Sequence, residues 1–388
     1  MDIINIGCPT KFLFGRGSDK KTGELCKMFG AKKVMIIHTS GFLAITGVID
    51  RIKESIEKEG IDYVEMGCVQ PNPRLAYVRT CIDKARSVNV DFVLAVGGGS
   101  VIDTAKAVAA GVKHEDDVWE IFKSQGNKMY NALPIGCVAS ITGSGSEGSS
   151  LCYIVNEEDR KNEKISISSE KLRPKFSILN PELTYSVSKY QSACGISNMM
   201  VSTIERYFCD PECTYLDDQI SEGILRTVIK YGLRTIEHPN DYEARAQLML
   251  ASASLNCTAY CRDNFAFSAL QIIQNGITEL YDSFHGEVFA TICPCWMEYI
   301  YSNNINRFAQ YANKVWGAEL DYNDTSATAM EGIKRTKDFF NKLGLPIDKE
   351  MLRIQDNDIE YLCAKKDGLK PMDGFDSDDL RNILKLIP

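Results

Sequence analysis

The run Gly97-Gly98-Gly99-Ser100-Val101-Ile102-Asp103-Thr104-Ala105-Lys106 constrains this chain more than any other stretch. A short apolar run of strand type, Phe92-Val93-Leu94-Ala95-Val96, leads into it. Ala105-Lys106-Ala107-Val108-Ala109-Ala110, which favours helix, leads out. Strand, glycine turn and helix N-terminus is an arrangement that binds phosphate. Glycine lacks a Cβ, so the backbone can approach an anion closely, and the first helical turn offers unpaired N–H groups and the positive end of the helix dipole. The run points to a phosphorylated cofactor.

The first half of the chain repeats the same alternation. Lys33–His38 reads as a buried strand, Gly47–Gly60 as an amphipathic helix and Asp62–Met66 as a strand. Gln70-Pro71-Asn72-Pro73 is a turn, Leu75–Val88 a helix and Leu133–Ala139 a further strand. Strands separated by helices of this length predict a parallel sheet covered on both faces, with its binding crevice at the carboxyl ends of the strands. From about Tyr190 the strand signals fade. Helical periodicity runs through Met199–Cys209, Leu216–Tyr231, Asp241–Leu255 and Ala327–Leu343, the last stopped by Gly344. The expected organisation is an α/β domain over 1–188 and an all-helical domain over 189–388.

At 388 residues the chain is long enough for two domains with sizeable cores. Its net charge of −8 disfavours nucleic acid or an anionic membrane as partner. No apolar stretch reaches the ~20 residues of a membrane span, and the N-terminus has neither the basic nor the apolar region of a signal peptide. The 14 cysteines then read as reduced thiols of a cytoplasmic protein. Cys209/Cys213, Cys257/Cys261 and Cys293/Cys295 are close pairs, but none has the spacing of a zinc or iron–sulfur site. They are expected to be packing residues.

The glycine run with Asp103 and Lys106 is not the dinucleotide fingerprint GxGxxG. Its setting is more specific. Asn72-Pro73 precedes it, and Thr142-Gly143-Ser144-Gly145-Ser146-Glu147 follows. Then come Phe176-Ser177-Ile178-Leu179-Asn180-Pro181-Glu182-Leu183-Thr184, Asp241-Tyr242-Glu243-Ala244-Arg245-Ala246 and Tyr281-Asp282-Ser283-Phe284-His285-Gly286. Together these resemble the iron-containing alcohol dehydrogenases, in particular the butanol-dehydrogenase-like branch, over nearly the whole chain. The resemblance implies an α/β N-terminal dinucleotide-binding domain plus an all-α C-terminal domain (a dehydroquinate-synthase-like fold). It also implies an active site in the cleft between them, a homodimer, and hydride transfer between NAD(P)H and an alcohol–aldehyde pair.

Carried over residue by residue, Gly97, Gly98, Gly99 and Ser100 match the pyrophosphate loop. Asp103 matches an aspartate near the nicotinamide carboxamide. Ser140 and Ser144 fall where the family has threonines near the cofactor, Lys164 matches a lysine near the ribose, and Leu183 lies in the cofactor-side Asn-Pro-Glu-Leu-Thr run. Thr39 and Ser40 follow the strand that ends at His38, where the family tells NAD from NADP. An acidic residue there would bond the 2′-hydroxyl and repel a 2′-phosphate. None stands in Thr39-Ser40-Gly41, which favours NADP.

The family's metal site is the point of departure. It uses one aspartate and three histidines, and the corresponding positions here are Asn198, Ser202, Gln271 and His285. A further family histidine near the nicotinamide is Asn275 here. The chain has only four histidines, His38, His114, His238 and His285, and no pair has ligand spacing on a helix. Amides and a hydroxyl are weak neutral donors to iron or zinc, so a tightly bound Fe or Zn is not expected. The replacements stay polar, as in a pocket that still binds something polar. The favoured expectation is a metal-independent NAD(P)-dependent reductase of a small polar carbonyl compound. Asn198, Gln271 and Asn275 would bond the substrate, and His285, or Tyr281 if it faces the cleft, would donate the proton. Two alternatives remain open: a catalytically silent nucleotide-binding relative, and a metal-dependent alcohol dehydrogenase with unusual ligands such as Cys261.

Overall fold

The computed structural model describes residues 9–39, 46–158, 162–209, 215–255, 268–364 and 374–388. The chain divides into two compact units. One comprises the described residues of Asn5–Val187 and Ser252–Asp263, the other those of Ser188–Ala251 and Asn264–Pro388.

The first unit is built on strands β1 (Lys11–Phe14), β2 (Lys33–His38), β3 (Asp62–Met66), β4 (Phe92–Gly97), β5 (Ile135–Ala139) and β8 (Phe176–Leu179). They form one sheet in the order β1-β8-β5-β4-β2-β3, and every pairing is parallel. Helices α1 (Thr22–Met28), α2 (Val48–Lys58), α3 (Leu75–Ser87), α4 (Gly99–Val112) and α5 (Val118–Lys123) connect the early strands. Side chains alternate between the two faces. Met35, Ile37, Val93 and Ala95 pack on one side with residues of α3 and α4. Val34, Ile36, Phe92, Leu94 and Val96 pack on the other with residues of α1 and α2. Burial on both faces is why these strands read as unbroken apolar runs.

A separate antiparallel hairpin, β6 (Leu151–Asn156) and β7 (Glu163–Ser168), was not apparent in the sequence, and neither were the short strands β1 and β8. All four are short segments whose pairing partners are remote or lie across a polar turn, so local periodicity gives little sign of them.

The second unit is helical: α6 (Lys189–Cys209), α7 (Tyr215–Glu237), α8 (Tyr242–Ser254, its last turn grouping with the first unit), α9 (Ala269–Tyr281), α10 (His285–Ile300), α11 (Ile305–Trp316), α12 (Thr325–Lys342), α13 (Lys349–Leu352), α14 (Asp356–Ala364) and α15 (Ser377–Lys385). Ser268 and Asp324 cap the starts of α9 and α12, and Gly344, at φ 75°, follows the end of α12. Arg307 ties helices together by pairing with Asp218 at 2.6 Å while donating to the Tyr207 carbonyl at 2.8 Å. Cys293 and Cys295 are buried in α10, as expected of packing thiols. Cys213, Cys257 and Cys261 lie outside the described residues. Among the described residues no helix is long and apolar enough to cross a membrane.

Candidate nucleotide and substrate sites

The chain passes from β2 outward to β3, then returns across β2 to β4. This reversal makes the carboxyl ends of β2 and β4 the topological switch point, where open parallel sheets bind ligands. His38 pairs with Val96 there, and the glycine run begins one residue later. α4 starts at Gly99, with Gly98 as its N-cap and no side chain capping it. The helix end is therefore left to an external acceptor, the condition for anion binding. The glycines also serve packing. A Cβ on Gly97 would sit 2.5 Å from a Val101 methyl, and one on Gly99 would sit 2.8 Å from the Ser144 Cβ. Ser100 accepts the Asn72 backbone N–H at 3.2 Å, joining the Asn-Pro turn to the loop.

Behind the loop lies a buried polar cluster. Asp103 accepts from the Ser146 hydroxyl at 2.6 Å and the Tyr153 N–H at 3.4 Å. The fully buried Lys106 donates to Ser146 at 2.9 Å and the Leu151 carbonyl at 2.7 Å, 3.9 Å from Asp103. Burial pushes the Asp103 carboxyl above its usual range, with Lys106 and Ser146 opposing. Ser140 is buried and donates its N–H to the Gly97 carbonyl, and Ser144 accepts the N–H of Ser146. Lys164 is buried with its ammonium 5.4 Å from the centre of the Tyr153 ring. Leu183 packs its side chain into the core, and its backbone N–H is donated to the Asn180 carbonyl.

Sequence reasoning gave Glu147 no role. It is buried, and it accepts from Ser252, whose oxygen in turn accepts the Gly143 N–H. A carboxylate closing a Gly-Ser-Gly-Ser run was the available signal.

At the end of β2, His38 lies between two acceptors, the Thr39 carbonyl at 2.7 Å and Glu65 at 2.8 Å. Lys53 also pairs with Glu65. The acid that the Thr39 segment lacks is thus brought by the neighbouring strand. Burial alone would raise the Glu65 carboxyl, but the bonds from Lys53 and His38 reverse this and hold it below its usual value. Ser40 lies outside the described residues.

In the helical unit the candidate positions Asn198 and Ser202 fall along one stripe of α6. Gly195, Asn198, Ser202 and Arg206 are partly exposed at helical spacing on an otherwise largely buried α6. Two contacts bracket this stripe. At one end, a Cβ on Gly286 would lie 1.9 Å from the Cys194 carbonyl oxygen, so the start of α10, which carries His285, lies directly on α6. At the other, Gln271 of α9 donates its carboxamide N–H to Glu205 at 3.1 Å. Ser268 donates to the other Glu205 oxygen and accepts the Gln271 backbone N–H at 3.2 Å. Glu205 is 1% exposed.

Asn275 lies one turn beyond Gln271 on α9, and its carbonyl oxygen is buried without a hydrogen-bond partner. Tyr281 donates its hydroxyl to Asp358. Burial and that carboxylate push the Tyr281 pKa up to about 12. His285 stands at the N-terminus of α10, edge-on to Phe289.

Asn198, Ser202, Gln271 and His285 together provide two carboxamides, one hydroxyl and one imidazole. Iron and zinc sites draw on imidazole, thiolate and carboxylate, so this set does not fit them. Among the described residues no three His, Cys, Asp or Glu side chains form a group that could hold a metal ion.

Comparison with known proteins agrees with this architecture. Residues 9–181 match the family model "Iron-containing alcohol dehydrogenase", and residues 192–370 match "Fe-containing alcohol dehydrogenase family, C-terminal". The chain is 37% identical over 359 residues to NADH-dependent butanol dehydrogenase A of Clostridium acetobutylicum, covering 92% of this chain and 91% of the relative. It is 28% identical to an NADPH-dependent aldehyde reductase of Escherichia coli, covering 94% and 93%. The crystal structure of NADH-dependent butanol dehydrogenase A from Thermotoga maritima superposes with a TM-score of 0.91 at 33% identity, covering 100% of this chain and 99% of the other. With both units matched and relatives of this identity spanning nearly its full length, the chain belongs to the iron-containing alcohol dehydrogenase family.

Proposed function

We propose that this chain is a metal-independent NAD(P)H-dependent reductase of a small polar carbonyl compound. The observation that carries the reading is the bond from Gln271 to Glu205. The side chain at a family ligand position is held by a protein carboxylate, and of the four positions Asn198, Ser202, Gln271 and His285 only the last carries a good donor to iron or zinc.

The glycine loop and the open N-terminus of α4 would hold the pyrophosphate. Asp103, fixed by Ser146, Tyr153 and Lys106, would orient the nicotinamide end. NADPH is favoured, because Lys53 pairs with Glu65 and offsets its charge against a 2′-phosphate. Bound nucleotide supplies the hydride. His285 would hold the proton that the carbonyl oxygen takes as it becomes a hydroxyl, and Asn275 would bond the polar substrate. The protein would act in the cytoplasm, as a homodimer.

Fluorescence titration with NADPH and NADH, followed by an aldehyde and keto-acid panel, tests this. Binding of NADPH more tightly than NADH, with turnover of at least one carbonyl, is the expected result. Binding without turnover would favour a silent nucleotide-binding relative. Failure to bind either nucleotide would contradict the reading of the glycine run.

A further inference from the structure

Helix α4 carries one acid, Asp103, and one base, Lys106, about a turn apart on the same face. Lys106 has no exposed side-chain surface, whereas the Asp103 side chain keeps 12% of its own. Lys106 therefore acts on a ligand at the glycine loop only through Asp103. The chemistry of the donors fixes the direction of each hydrogen bond between them. An ammonium only donates, so Ser146 accepts from Lys106 at 2.9 Å and sends its single hydrogen to Asp103 Oδ1 at 2.6 Å. Lys106 also donates to the Leu151 carbonyl at 2.7 Å, which pins it to the start of β6. The other Asp103 oxygen takes the Tyr153 N–H at 3.4 Å. Both oxygens accept from the protein, the arrangement of a carboxylate, and such a group offers only lone pairs at its exposed edge.

The surroundings of Asp103 make Lys106 the group that decides its charge. Burial raises the carboxyl, and Lys106, 3.9 Å away on α4, opposes this most strongly, with Lys164 of β7 adding to it. The thiols of Cys137 on β5 and Cys152 on β6 also face the acid. Burial pushes Cys137 up to about 12 and Cys152 well above its ordinary value, so both are neutral at neutral pH. Glu147, from the loop before β6, interacts with Lys106, and burial favours its protonated form. A buried lysine left without an ionised partner is costly, so the pair holds its charges together.

We infer that Lys106 is a positioning residue that, through Ser146, holds Asp103 as a pure hydrogen-bond acceptor, and that the nucleotide site thereby requires an N–H donor on the ring it receives. The inference rests on the nucleotide reading above, in which Asp103 faces the nicotinamide end, and adds what enforces the choice there. The NH2 of a carboxamide meets an acceptor-only Asp103 well, and a ketone in its place meets it with oxygen against oxygen.

The test titrates the protein, by nucleotide fluorescence, with whichever of NADPH and NADH it binds more tightly and with the acetylpyridine analogue of that nucleotide, in which a methyl ketone replaces the carboxamide. At neutral pH the wild type is expected to prefer the natural nucleotide roughly tenfold to a hundredfold, the scale of a hydrogen bond to a charged group. Lys106→Met leaves the buried Asp103 protonated there, and a protonated carboxyl can donate to a ketone as well as accept from an amide. Its preference should vanish at neutral pH and return as the pH is raised. Ser146→Ala should lose part of the preference, and Ser146→Thr, which keeps the hydroxyl, should retain it. This second pair carries the test if Lys106→Met fails to fold. Equal affinity for the two nucleotides in the wild type would overturn the inference and leave the nucleotide reading standing. So would an undiminished preference at neutral pH in Lys106→Met or Ser146→Ala, or a loss in Lys106→Met that alkaline pH does not restore. Failure of the wild type to bind either nucleotide would overturn both.

Discussion

Glu205 and Gln271 are 66 residues apart in sequence, and the carboxamide of one donates to the carboxylate of the other at 3.1 Å inside the helical unit. Glu205 follows Asn198 and Ser202 along α6, so residue 271 lies against the stripe that carries those two side chains. Replacing Asn198→Asp, Ser202→His and Gln271→His together, with His285 in place, supplies a carboxylate and three imidazoles. The triple variant should take up about one zinc per chain, given the four-ligand preference of that ion. Elemental analysis after dialysis against zinc checks this, and no gain over the wild type would contradict the placement of the stripe.

Gly286 carries no side chain because the Cys194 backbone occupies the space. A methyl there would lie 1.9 Å from the carbonyl oxygen, so Gly286→Ala must push α10 away from α6. Overpacking of this kind costs roughly 1–3 kcal/mol. The melting temperature should fall by about 2–4 °C per kcal/mol for a domain of this size. Carbonyl reduction should fall further than nucleotide affinity, since the displaced element carries His285.

The two candidate proton donors separate cleanly. Tyr281 donates to Asp358 and has its pKa pushed up to about 12. Tyr281→Phe should keep kcat near the wild-type value and lose about 1 kcal/mol of stability with that hydrogen bond. His285→Gln should lower kcat roughly 100-fold or more, the scale of a lost general acid. Steady-state kinetics on both variants decides the assignment.

Glu147 gives a pH dependence of definite sign. Burial raises its carboxyl above the ordinary value of 4.5, with its own backbone N–H, the Ser252 hydroxyl and Lys106 opposing. The native state therefore holds a proton that the unfolded chain has released. Below about pH 4.5 both states are protonated and the group costs nothing. As pH rises from there toward the elevated native value, stability is lost. Glu147→Gln, whose carbonyl can still accept from Ser252, removes that dependence. Its melting temperature should gain on the wild type between pH 4.5 and 7, and little at pH 4. A gap that narrows as pH rises would contradict the assignment.

The architecture was legible in the sequence wherever local patterning decides structure. β2 and β3 fall on the expected residues because apolar runs bounded by turns leave few alternatives. The glycine loop lies at the switch point for the same reason. Its three glycines were read as room for an anion, and Gly97 and Gly99 prove to be required also by Val101 and Ser144. What escaped the sequence depends on pairing between distant segments. Glu65 reaches the end of β2 from the next strand, Tyr281 finds Asp358 77 residues on, and Glu205 holds Gln271. No spacing rule connects such residues until the sheet or the helices are assembled.

Metal independence is the central claim, and it is tested most directly on one preparation. The protein is purified from cells grown in iron- and zinc-supplemented medium, assayed for metal content, and its NAD(P)H-dependent carbonyl reduction is measured before and after dialysis against a strong chelator. Well under one equivalent of iron or zinc per chain, and a reduction rate unchanged by the chelator, are the expected results. Near-stoichiometric metal, with activity lost to the chelator and restored by adding the ion back, would contradict it.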